Sequence, residues 1–174
     1  MKLFRSANAW QAWFLNFQQS FLILLAPWLV SVLVQSAGRV YLLATYAPPG
    51  AYATLSQDVH RTLGIGLLFD IKVAAIAFSV PLLAALLLAA RPVAHALWLR
   101  SLPWLGAILA TLFAASTVVS VCYFATFSRS IDIFVFGLMD DDTHAILVTL
   151  WHGYPILRTL ALLAAVLGLS LIHI

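Results

Sequence analysis

The sequence has no glutamate and only six aspartates, and charged residues make up 9% of its 174 positions. Soluble globular chains carry about a quarter charged residues, because a water-facing surface has to be solvated. With 64% apolar residues and a mean hydropathy of +1.04, most of this surface must face something other than water. A soluble domain is therefore excluded, and the chain reads as an integral membrane protein. Its nine Lys and Arg residues give a net charge of +3 but are scattered, so nothing points to nucleic acid. The single cysteine, Cys122, admits no internal disulfide and sits in an apolar run, where it reads as a small packing residue. Gly64-Ile65-Gly66 has no strand before it, which removes a nucleotide-binding fingerprint. No Ser-His-Asp or Cys-His constellation emerges from spacing.

What is present is apolar runs of spanning length, since a membrane helix needs roughly 20 such residues. Residues 1–19 hold Lys2, Arg5, Trp10, Trp13, Phe14 and Phe17. The four aromatic residues share one side at helical spacing, which predicts a short helix lying in the membrane interface. The first span is expected at about 20–46, with Pro27 inside it and Arg39 near its far end. Pro48-Pro49-Gly50 stops the helix. A second span at about 63–90 carries Asp70, Lys72 and Pro81. Residues 91–100 read as a short loop with Arg91, His95 and Arg100. Pro103 suits the first turn of a third span, expected at about 103–127 and free of charge. A fourth span is expected at 156–174. The expected fold is thus an all-α membrane bundle, residues 20–174, with four spans and an interfacial helix at 1–19.

A charge at the bilayer centre costs roughly 2.5–3.5 kcal/mol on insertion scales, so Arg39, Asp70 and Lys72 form the candidate intramembrane site. Asp70 lies about 11 Å below the start of its span and Arg39 about 10 Å below the end of the first. Antiparallel helices bring these depths together, which predicts an Arg39–Asp70 ion pair. Lys72 points about 200° away from Asp70, and either snorkels to the interface or turns towards the same polar pocket. These groups bind a lipid headgroup, or they only hold helices together.

Residues 123–155 hold four of the six aspartates. Asp140-Asp141-Asp142-Thr143 precedes an apolar run, which suits the start of a short extracytoplasmic helix ended by Gly153 and Pro155. The same aspartates with His144 and His152 raise a divalent metal site, but three consecutive side chains fan around a helix start and do not face one ion. Haem ligation by His60, His144 or His152 is disfavoured, because all three lie at or outside the interface. Lys2, Arg5, Arg91 and Arg100 fall on one side with no acid, against Arg61, Arg129 and Arg158 on the other, a four-to-three balance that favours a cytoplasmic N-terminus by one residue.

Two passages resemble a known family. GLLFDIKVAAIAFSVP in the second span, following Arg39-Val40-Tyr41, and SRSIDIFVFGLMDDDTHAILVTLWHGYP look like the membrane domain of lipoteichoic-acid-synthase-like phosphoglycerol transferases. The resemblance covers about Trp13 to Leu169. It implies a multi-pass anchor in the bacterial cytoplasmic (inner) membrane with the N-terminus inside. It also implies a catalytic domain outside, of the alkaline phosphatase and sulfatase superfamily, using a divalent metal (Mn or Mg). The implied partners are membrane lipids, phosphatidylglycerol among them, and the protein's own C-terminal catalytic domain. No catalytic residue, metal ligand or cofactor-binding residue can be carried over onto this chain, since that domain lies outside it. The ending LSLIHI looks like a translated adaptor junction, so the natural chain is expected to continue. The alternatives are a complete four-span binding or transport accessory and a relative of the membrane-anchored phosphoethanolamine transferases.

Overall fold

The computed structural model describes residues 2–48, 50, 55–128, 148 and 161. Those residues build three helices: α1 (Lys2–Tyr46), α2 (Ser56–Leu88) and α3 (Pro92–Phe127). At about 1.5 Å per residue they run roughly 68, 50 and 54 Å, each longer than the ~30 Å hydrocarbon layer. All three are long and apolar enough to cross a membrane, which makes this a multi-pass membrane protein.

This corrects the expected four-span bundle. Three spanning helices are found among the described residues, and the fourth span at 156–174 and most of the segment at 128–155 fall outside them. The separate interfacial helix at 1–19 is also corrected, because α1 runs unbroken from Lys2 to Tyr46. No glycine or proline interrupts it before Pro27. Asn16, a polar residue within this stretch, finds a partner in the Ala89 carbonyl just past the end of α2. Nor do residues 91–100 form a loop. Pro92 takes the first helical position, where its missing N–H is harmless, and Pro103 lies well inside α3.

The chain divides into two compact units: Met1–Leu33 with Leu67–Ala110, and Val34–Gly66 with Thr111–Ile174. In the first unit, buried residues recur along α2 at Asp70, Ala74, Phe78, Pro81 and Ala85, and at Ala89 just past its end. Steps of three and four put them on one helix face. Small side chains along such a face let helices approach closely. Gly106 of α3 packs on the Pro27 ring of α1, so a Cβ at Gly106 would lie 2.7 Å from the proline Cγ. In the second unit, Gly38 faces the Thr117 methyl just as tightly, and Tyr46 meets Phe124 edge-on at 5.3 Å.

Several hydroxyl groups in these helices are satisfied by the preceding turn of their own helix. Ser31 donates to the Pro27 carbonyl at 2.8 Å, Thr117 to Phe113 at 3.0 Å and Thr126 to Cys122 at 3.0 Å. That removes the main penalty for polar atoms in lipid. Just after Phe127, α3 is closed by Ser128, whose φ of 52° is the left-handed conformation that ends many helices, and the Ser128 N–H bonds the Phe124 carbonyl.

Candidate functional site

The first unit contains a polar cluster that the sequence reading did not single out. The last carbonyls of a helix have no partner within it. At the end of α2, side chains of α1 supply donors: Trp13 Nε1 to the Leu86 carbonyl at 3.2 Å, and Asn16 Nδ2 to the Ala89 carbonyl at 3.0 Å. One turn further along α1, the Ser20 hydroxyl is fully buried. It donates to the Asn16 carbonyl and lies 3.2 Å from His95 Nε2. His95 Nε2 itself donates to the Asn16 carbonyl at 2.9 Å. A carbonyl only accepts, so this contact places a proton on Nε2. His95 is 3% exposed. One histidine on the first turn of α3 thus ties α3 to α1, while Asn16 and Trp13 tie α1 to α2.

Trp13, Asn16 and Ser20 fall at steps of three and four on α1, a spacing legible in the sequence. Their partners are 73 to 79 residues away, a separation that periodicity does not reveal. Placing Pro92 at the start of a helix would have moved His95 from a loop to a helix face. Beside Trp13, the rings of Trp10 and Phe17 stack at centroid distances of 4.8 and 6.1 Å. The aromatic spacing expected from sequence is therefore realised, on a helix that continues into the span.

Of the predicted intramembrane residues, Asp70 and Lys72 both lie in the first unit, on different faces of α2. Asp70 is 2% exposed, on the buried face, and Lys72 is exposed. Arg39 lies in the second unit, where its guanidinium occupies the space that a Cβ on Gly66 would fill. Its Nη2 points to the Gly66 carbonyl at 3.4 Å, at the long end for a hydrogen bond. Glycine at position 66 is thus what admits an arginine against the α2 backbone. Arg39 and Asp70 belong to different units, and their pairing stays an expectation of the sequence.

An apolar cavity of about 240 Å³ in the first unit is lined by Phe21, Leu25, Trp28, Phe78 and Leu82 among others. Its lining hydroxyl, Ser79, already donates to the Ile76 carbonyl, and the one other side-chain polar group among its lining residues is the Trp28 indole N–H. Among the described residues, no group of three or more His, Cys, Asp or Glu side chains is placed to hold a metal ion. Asp140, Asp141, Asp142, His144 and His152 lie outside the described residues. His60, the fifth residue of α2, is exposed and donates from Nδ1 to the Ser56 carbonyl of its own helix.

No family model, curated protein or solved structure matches this chain. The resemblance to the phosphoglycerol transferases therefore rests on the two sequence passages alone.

Proposed function

We propose that the chain is a helical membrane anchor, and that it tethers a phosphoglycerol transferase or related sulfatase-superfamily enzyme acting outside the bacterial cytoplasmic membrane. The observation that carries the anchor reading is the use made of the buried cluster in the first unit. Trp13, Asn16, Ser20 and His95 are all engaged in bonds between or within helices. Side chains so engaged rigidify a bundle rather than present reactive atoms to a substrate. The transferase part of the proposal comes from the resemblance of the FDIK and DDDT passages. The cytoplasmic N-terminus is proposed from Lys2, Arg5, Arg91 and Arg100, which share one side with no acid.

An Arg39–Asp70 pair belongs to the same proposal, on the strength of the matched depths of the two residues along α1 and α2. Divalent metal and phosphatidylglycerol belong to the tethered enzyme, not to these helices.

Reading the gene independently through the codon for Ile174 tests the proposal. An open frame running into a metal-dependent phosphatase-like domain supports it. A stop codon at that point overturns the tethering and leaves a membrane bundle with another task. One observation favours such a second reading, a binding partner within the membrane: the exposed Lys72.

A further inference from the structure

Lys72 is the seventeenth of the 33 residues of α2, a helix long and apolar enough to span a membrane. It is exposed, and among the described residues no ion pair or hydrogen bond engages it. Its neighbours on the same helix face are Leu68, Phe69, Ile76 and Leu83, all large, apolar and exposed. The face is therefore apolar apart from Lys72 and Ser79, whose hydroxyl is satisfied by the Ile76 carbonyl. A charge held in hydrocarbon is unfavourable enough that such residues face a partner or a polar cavity.

Two ordinary escapes are closed by position. Apolar sequence on α2 begins at Leu63, after the exposed His60 and Arg61. Lys72 follows nine residues later, about 14 Å along the axis. A four-carbon stem covers about half of that, so snorkelling leaves the ammonium short of the headgroups. The other escape is the acid nearest in sequence, Asp70, but it is on the buried face of the helix. The apolar part of a second copy's described spans offers no accessible acid either. Asp70 is the one acid there, and it is 2% exposed.

We propose that the Leu68–Phe69–Lys72–Ile76–Leu83 face of α2 is an intramembrane docking surface for a transmembrane helix of another protein, carrying a carboxylate at the depth of Lys72. The lysine supplies charge-assisted hydrogen bonds, strong where water is absent. The apolar neighbours supply packing, the main drive for helix association in lipid. This surface does not depend on the tethered-enzyme reading, and survives if that reading fails.

The test uses the full chain reconstituted in phosphatidylcholine vesicles, with a synthetic Leu–Ala helix of about 20 residues as the probe. One probe carries Asp at the matching depth and the other Leu. Association is read by energy transfer between a donor on the chain and an acceptor on the peptide. The Asp probe is expected to bind about tenfold more tightly than the Leu probe, and Lys72→Met to bring the ratio close to one. Lys72→Arg keeps the charge and should retain most of the preference. Equal binding of the two probes to the native chain overturns the proposal, as does a preference that survives Lys72→Met. A parallel arm adds labelled phosphatidylglycerol. If that lipid gathers at the native chain but not at Lys72→Met, while the probes bind equally, the occupant is a lipid phosphate and the docking surface is rejected. Lys72→Met removes charge from a lipid-facing position, so it is expected to fold, and a helical circular dichroism spectrum confirms that before binding is read.

Discussion

His95 and Lys72 pose the same physical problem in the same unit and meet it in opposite ways. Both are ionisable side chains on helices long enough to span a membrane. His95 is 3% exposed and engages the Asn16 carbonyl and Ser20 hydroxyl. Lys72 is exposed among apolar side chains. The difference lies in what faces each residue. His95 stands on the first turn of α3, beside a helix that offers a carbonyl already bordered by Ser20. Lys72 stands on the face of α2 opposite its buried stripe. A polar group in a span is thus structural where the fold supplies its partner, and marks an outward-facing surface where the described residues supply none.

The sharpest way to break this contrast is to delete the internal partner. His95→Ala leaves a cavity and removes the tie between α3 and α1, and is expected to destabilise the bundle by about 3 kcal/mol. Reversible unfolding in mixed micelles with increasing denaturing detergent measures it. A change no larger than that of Lys72→Ala under the same conditions would erase the distinction between the two residues.

A second change tests whether the small-residue contacts matter as much as the polar ones. Gly106→Val forces side-chain atoms into the Pro27 ring, which sits 2.7 Å from an added Cβ. Overpacking of this kind typically costs 1–3 kcal/mol, and about 2 kcal/mol is expected here. The same denaturation measures it, and an unchanged midpoint would mean that α1 and α3 move apart freely at that point.

Much of this was legible in the sequence. Composition alone gives membrane helices, and the period of 3.6 residues separates Asp70 from Lys72. The stop at Pro48-Pro49 and the end of the third helix near Phe127 follow from local residue chemistry. Two boundaries were placed wrongly for one reason. Residues 1–19 and 91–100 hold polar and basic side chains, and such stretches look like the edge of the membrane. Asn16 and His95 within them make tertiary contacts, and a partner 79 residues away leaves no trace in local periodicity. Gly66 carries a weaker hint. A glycine inside a helix is unfavourable without a packing reason, and here the reason is the Arg39 side chain lying on it.

Asn16 sharpens the comparison at smaller scale. Asn16→Leu is well suited to lipid and removes the donor that caps Ala89. Hydrogen bonds between membrane helices average about 0.6 kcal/mol and reach about 1.7. The loss is expected near the upper part of that range, about 1 kcal/mol, because the Ala89 carbonyl is left without its side-chain donor at a helix end. Amide hydrogen exchange over residues 85–95 should rise in the variant. Unchanged protection there would mean that water or lipid caps α2 equally well.

Lys72→Met is the smallest expected effect and the most informative. If the lysine has no partner within the chain, its removal changes the stability of the isolated bundle by less than about 0.5 kcal/mol, as for surface positions generally. A loss of more than 1 kcal/mol would mean that the ammonium does hold the fold together, and the contrast with His95 would collapse. A null result in isolated protein, joined to a lost preference for an acidic transmembrane helix, would place the whole effect of Lys72 outside the chain. The two measurements therefore separate a residue kept for its own fold from one kept for a partner.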